Sequence, residues 1–221
     1  MRTIIYVDGF NLYFRMLASR PALKWLNFKK LAETLLRPTK VIVAAKCYTA
    51  RVSGRLDPTA PKRQQIYFDA LATVPEISLY MGTFLTSEKF AGLVMPPEFR
   101  PRLTLGQPWP NVVKVIKTEE KGSDVNLACH LLLDAFQNNF DVAAVLSNDS
   151  DLVEPIRIVT QVLGKPVELL SPVPNPAPTP NLVRVSSFQR RISVSDLAGA
   201  QFPDPIVRAD GSIIAKPATW V

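Results

Sequence analysis

Three short apolar runs constrain what this chain can fold into. Thr3 to Val7, Val41 to Thr49 and Asp141 to Leu146 are rich in β-branched, aromatic and small apolar residues. Val41-Ile42-Val43-Ala44-Ala45 is too apolar for a half-solvated strand and suits the centre of a parallel sheet. Asp8-Gly9 after the first run could mark a hairpin. The next apolar residues, Phe10, Tyr13, Phe14 and Leu17, fall at helical intervals instead, so the unit reads as strand, tight loop, helix. Phe28, Leu31, Ala32, Leu35 and Leu36 predict a second amphipathic helix, starting after Asn27 and stopped by Pro38.

A basic, Pro- and Gly-containing loop spans Arg51 to Pro61. A helix follows from about Lys62 to Thr73, with Ile66, Tyr67 or Phe68, Ala70 and Leu71 facing inward. Ile77 to Met81, Val112 to Ile116 and Val167 to Leu170 read as further short strands, and Thr83 to Pro110 as a long irregular loop. Strands alternating with helices predict an α/β fold: a mainly parallel sheet with helices on both faces. Beyond Ser171 the texture changes. Pro172, Pro174, Pro176, Pro178 and Pro180 predict an extended spacer. Leu182 to Ile192 predicts a final strand or short helix, and the tail is expected to wrap the domain. The expected organisation is a domain over residues 1–171 and a Pro-rich extension over 172–221.

The stretch from Glu120 to Phe136 joins a glycine-containing turn to an apolar helix. Leu127, Ala128, Leu131, Leu132, Ala135 and Phe136 form its expected inner face. Ser123 or Asp124 can cap its start. In open parallel sheets ligands bind beyond the carboxyl ends of the strands. Asp8 leaves the first strand there, Asp149 and Asp151 leave the Asp141–Leu146 strand, and Asp124 follows the Val112–Ile116 strand. Each acid also has a local role open to it. Asp8 can hold its turn with Gly9, and Asp151 with Glu154 reads as a capping pair. Asp149 precedes that cap and has no such role. Jointly the four suit a hard cation such as Mg²⁺ or Mn²⁺, which takes carboxylate, water and phosphate oxygens. His130 is the single histidine, so no Ser-His-Asp or Cys-His arrangement competes. It reads as structural.

The formal charge of +7 favours polyanionic partners through phosphate neutralisation. The sequence has no run of eighteen apolar residues, and Asp8 interrupts the N-terminal apolar run too early for a signal-peptide core. Cys47 and Cys129 both lie in apolar segments and read as reduced core residues. A cytoplasmic protein with no membrane association is therefore expected. The oligomeric state stays open, a homodimer included.

Val7-Asp8-Gly9-Phe10-Asn11-Leu12, Glu120-Lys121-Gly122-Ser123-Asp124-Val125 and Ser147-Asn148-Asp149-Ser150-Asp151-Leu152 resemble the three motifs of the NYN domain, a family of the PIN-like nuclease superfamily. The tail, with Phe202-Pro203-Asp204-Pro205 and Asp210-Gly211, resembles the end of bacterial stand-alone members. The resemblance implies a PIN-like three-layer α/β/α sandwich and a metal-dependent ribonuclease type of site. Asp8, Asp124 and Asp149 match the family's acidic metal-binding positions. Asp151 matches a further acid beside the third motif, and Asn11 the asparagine after the first aspartate. Lys121 lies in the matching loop, and the match itself does not establish a phosphate contact for it.

The expected function is a Mg²⁺- or Mn²⁺-dependent endonuclease acting on nucleic acid, RNA before DNA. Asp8, Asp124, Asp149 and Asp151 would serve the metal, and Asn11 would orient the first carboxylate or the substrate. Arg51, Arg55, Lys62, Arg63, Lys117 and Lys121 are candidates for phosphate contact, with solvated surface charge as the plainer reading of each. The alternative is a nucleic-acid-binding or regulatory NYN module with weak or no turnover. A phosphatase with an aspartyl nucleophile ranks last, because Asp8-Gly9-Phe10 lacks a second aspartate two residues on.

Overall fold

A seven-stranded sheet forms the centre of the computed structural model, which describes residues 1–55, 57–103, 106–172 and 179–221. Its strands are β1 (Arg2–Asp8), β2 (Val41–Ala50), β3 (Ile77–Gly92), β4 (Val112–Lys121), β5 (Val142–Leu146), β6 (Val167–Ser171) and β7 (Phe188–Arg191). They lie in the order β4-β3-β2-β1-β5-β6-β7. All neighbours pair in parallel except β3 and β4. The chain builds outward from β1 on one side, then crosses to β5 and builds outward on the other. The crevice beyond the ends of β1 and β5 is therefore the topological switch point, where open parallel sheets bind ligands.

Helices cover both faces. The named helices are α1 (Gly9–Leu12), α2 (Phe28–Leu35), α3 (Ala60–Leu71), α4 (Ser123–Phe136), α5 (Val153–Arg157), α6 (Pro180–Val185) and α7 (Val194–Gly199). Successive β1 residues point to opposite sides. Ile5 and Val7 join the core under α1, α2, α3 and α7, whereas Ile4 and Tyr6 join the one under α4, α5 and α6. The result is the three-layer α/β/α sandwich expected from the sequence. Asn27 starts α2 as expected, its side chain accepting from the Lys30 N–H at 3.1 Å. Residues 182–192 hold both the short helix and the strand that the sequence offered as alternatives.

Several expectations are corrected. β3 does not stop at Met81, and Thr83 to Pro110 is not one loop. β3 pairs with β2 only as far as Gly82 opposite Ala50, and then continues as a ribbon with β4, from Thr83–Lys121 to Gly92–Val112. At about 3.4 Å per residue this ribbon projects roughly 30 Å past the rim. No core covers it, so no apolar alternation was imposed on Thr86-Ser87-Glu88-Lys89 to mark it as strand.

After α1 the chain widens into a π-helical turn, Tyr13–Leu17. The extra residue in that turn shifts the inner face to Leu12, Met16 and Leu17 and leaves Phe14 70% exposed. Phe136 and Cys129 also face outward, because the buried line of α4 is Leu127, Leu131 and Ala135. Val41 and Val43 are exposed despite their apolar context.

The tail packs into the core under α2 and α7. Phe202, Ile206 and Ile214 are buried there, and the Trp25 indole donates to the Pro203 carbonyl at 3.0 Å. Pro174, Pro176 and Pro178 of the expected spacer lie outside the described residues. Among the described residues, no helix is long and apolar enough to cross a membrane.

Candidate metal centre

Three carboxylates converge at the switch point. Ligand atoms of Asp8, Asp124 and Asp149 all lie within 4.8 Å of one another. Asp8 ends β1 and is almost wholly buried. Its Oδ1 accepts from the Asn11 N–H at 2.9 Å, which caps α1, and its Oδ2 accepts from the Ser147 hydroxyl at 2.7 Å. Ser147 also accepts from the Asp149 N–H at 3.0 Å, so one hydroxyl couples the ends of β1 and β5. The Asn11 side-chain oxygen accepts from the Asn148 N–H at 3.1 Å, pinning the same loop. Asn148 in turn accepts from the Thr179 N–H at 2.9 Å, which ties the start of α6 to the site.

Asp149, rather than Asp151, caps the helical turn after β5. It accepts from the Asp151 N–H at 3.0 Å, while Glu154 pairs with Arg157 and so forms no capping pair with Asp151. Asp151 is exposed beside the cluster. At the start of α4 neither Ser123 nor Asp124 is the cap. Gly122 occupies that position with φ +101°, the left-handed region that glycine adopts without penalty. Glu120 accepts from the Ser123 N–H at 3.0 Å and from its hydroxyl at 2.6 Å. Asp124 is thereby free to turn toward Asp8 and Asp149.

Electrostatics separate this cluster from the other buried acids. Asp134 pairs with Lys46 at 2.6 Å, and Glu168 pairs with Lys40. Asp8 has no cationic partner among the described residues. Burial pushes its carboxyl above the usual range despite the two hydrogen bonds, and Asp149 and Glu120 add to the shift. Asp124 is pushed up to about 6, chiefly by burial and then by Asp8, Asp149, Glu120 and Asp151. A helix N-terminus ordinarily favours a carboxylate by up to about 1 kcal/mol. Two unit charges at 4–5 Å repel by about 3–4 kcal/mol at an effective dielectric constant near 20. Repulsion therefore outweighs the helix dipole. A hard divalent cation reverses both penalties, and an all-oxygen donor set of three carboxylates fits one.

The other candidates are dispersed. Arg51, Arg55, Lys62 and Arg63 follow the end of β2 on the same rim. Arg51 donates to the Gln65 side chain at 2.8 Å, and Arg63 pairs with Asp57. Lys117 and Lys121 share a ribbon face with Glu119, at 2.7 and 3.5 Å from its carboxylate. Strand alternation puts that face opposite the one bearing Glu120 and hence away from the acids. His130 is held at 3.0 Å by the Tyr48 hydroxyl, on the α4 side of the sheet.

Sequence reasoning assigned no role to Glu120, Ser147 or Gly82. Glu120 and Ser147 lie inside the quoted motifs, but only register and hydrogen bonding give them work. Gly82 has a steric one. A Cβ there would meet Glu120 Oε1 at 1.9 Å and the Lys121 carbonyl at 2.8 Å. Gly82→Ala is expected to cost about 1–3 kcal/mol of stability and to loosen the start of α4. Thermal denaturation reads this directly, and an unchanged melting temperature would mean that β4 yields freely.

The fold and the acids define a class: a mainly parallel α/β sandwich of PIN-like type with a carboxylate cluster at its switch point. The NYN domain matches residues 105–189, a segment holding Asp124, Asp149 and Asp151. The NYN domain has a nuclease-like fold, and Asp8 joins its acids from outside the matched segment.

The whole chain aligns over 244 residues, at 25% identity, with 6-hydroxy-3-succinoylpyridine 3-monooxygenase HspA of Pseudomonas putida, covering 75% of that protein. A protein of unknown function from Vibrio parahaemolyticus, VPA0982, shares the fold with a TM-score of 0.53 at 14% identity. The likeness covers 87% of this chain and 93% of that one.

Proposed function

We propose that the chain is a Mg²⁺- or Mn²⁺-dependent endonuclease that hydrolyses phosphodiester bonds in RNA. The observation that carries this reading is the buried Asp8, without a lysine or arginine partner among the described residues, facing Asp124 and Asp149 within 4.8 Å. A fold seldom keeps an unpaired buried charge among like charges unless a cation completes the site. Asp8, Asp124 and Asp149 would hold the metal. When bound, such an ion lowers the pKa of coordinated water and neutralises charge developing on a phosphate.

The remaining work falls to the chain. Ser147 and the Asn11 N–H keep Asp8 aimed at the cluster, and the Asn11 side chain fixes the loop that carries Asp149. Asp151, exposed beside the cluster, would accept the proton of the attacking water directly or through a second water. Hydrolysis adds that water across one P–O bond, leaving a phosphate monoester and a hydroxyl. Arg51, Arg55, Lys62 and Arg63 would take neighbouring phosphates on the β2 side. Lys117 and Lys121, engaged by Glu119, would contribute through the general positive field.

The test is cleavage of end-labelled single-stranded RNA and DNA with Mn²⁺, Mg²⁺ or EDTA. Internal cutting of RNA that EDTA abolishes is the expected result. Tight RNA binding without cutting in any metal would instead make the protein a binding module.

A further inference from the structure

One residue beyond Asp8 the chain enters the wall of a second feature. Gly9 and Phe10 border a cavity of about 240 Å³, open on one side and lined mainly by aromatic and aliphatic side chains. Phe10 stacks on Phe14 with ring centroids 6.3 Å apart and meets Phe84 edge-on at 5.6 Å, while Tyr67 and Trp220 close the inner side. Phe14 is too exposed for a packing role, yet its ring is held against Phe10 and Tyr13. Lys24 lies on the lining with its ammonium 5.2 Å from the Tyr13 ring centroid, and no carboxylate pairs with it among the described residues. Gly9 lets the wall close on the sheet, since a Cβ there would meet the Tyr48 carbonyl at 2.8 Å.

We propose that this cavity is a subsite for one unstacked nucleobase of the RNA strand whose phosphate faces the acids. The assignment rests on the endonuclease reading. Aromatic walls accept the π-face of any base, and stacking of this kind is tolerant of sequence. Lys24 supplies positive charge for a phosphate or a base acceptor at the same edge. Strand alternation turns the Asp8 side chain to the α4 face of the sheet, away from most of the cavity wall. Phe84 on the lining, however, pairs across the ribbon with Glu120, whose charge reaches Asp8, so the cavity meets the acids at that rim. A base seated here and a phosphate at the acids therefore belong to adjacent parts of one strand.

The experiment is calorimetric titration of the four ribonucleoside 5′-monophosphates in EDTA into wild type, Phe14→Ala, Lys24→Gln and Asp124→Asn, with a pyridine carboxylic acid as a parallel probe. Nucleotide binding weakened about tenfold by Phe14→Ala, weakened also by Lys24→Gln, and retained in Asp124→Asn supports the subsite. Absent nucleotide binding, or binding that Phe14→Ala and Lys24→Gln leave unchanged, overturns it. So does binding of the pyridine acid where no nucleotide binds. RNA cleavage separates the two readings. Nucleotide held through Phe14 with no cutting in Mg²⁺ or Mn²⁺ defeats the nuclease reading and leaves a base-binding site standing. Cutting that Phe14→Ala does not slow defeats the subsite alone.

Discussion

If the proposed nuclease reading holds, Asp124→Asn is expected to fold and to lose metal-dependent RNA cleavage by about a hundredfold or more, the scale on which removal of one preorganised charged or polar group acts in an active site. The substitution is nearly isosteric and keeps a side-chain oxygen at the first turn of α4. That helix does not depend on Asp124 for its start, because Gly122 and Glu120 provide it. Circular dichroism should therefore be unchanged while turnover collapses. Asp124 joins Asp8 and Asp149 only through space, with its ligand atoms within 4.8 Å of theirs. A single neutralisation thus removes one-third of the donor charge without touching the hydrogen bonds that Asp8 makes to Asn11 and Ser147. Equal cleavage by purified variant and wild type would remove Asp124 from the chemistry. Parallel loss of cleavage and of helical signal would assign it a structural part.

The sequence made this much of the site legible because each acid borders a recognisable apolar run. Asp8 follows a buried strand and Asp149 follows another, and the apolar helix after Asp124 has an unmistakable period. What it hid depends on pairing across the chain. Glu120 acquires its role from the antiparallel register that sets it opposite Phe84 and against Gly82. That register belongs to a ribbon with no core to stamp a pattern on it. The turn after β4 brings Asp124 to the rim even though β4 runs against the other strands, a return that needs the full length of β3 and β4. Asp149 became a cap, and Asp151 lost that role, through one N–H whose direction no spacing reveals. The helical period after Gly9 misled for a similar reason. A π-turn changes the repeat locally, so Phe14 was counted inward and lies on the surface beside the cavity. Lys117 and Lys121 are basic residues near a motif in sequence, and strand alternation carries them to the opposite face.

In EDTA the wild type is expected to become less stable than Asp124→Asn as pH rises from about 4 to above 6, and Mg²⁺ or Mn²⁺ should reverse that order. The Asp124 carboxyl ordinarily titrates at 3.8 and is pushed up to about 6 in the fold. Between those values the folded chain holds a proton that the unfolded chain has released, so unfolding releases protons and stability falls with rising pH. Asp8 is shifted in the same direction. Acids held low by partners, such as Asp134 beside Lys46, act oppositely. Their stabilisation is gained as pH rises toward the unfolded value and is present above it. Those contributions are common to both proteins, so the difference in melting temperature isolates the cluster. It should be small near pH 4, grow through pH 5 and level off above pH 6. A cation binding only the folded state adds about 2.7 kcal/mol at a hundredfold excess over its dissociation constant. Wild type gains the full amount, whereas the variant, short of one carboxylate, requires a higher concentration for the same gain. A difference that is flat with pH would mean that neither burial nor the charges of Asp8 and Asp149 raise the Asp124 carboxyl. A cation response equal in both proteins would mean that the metal binds elsewhere.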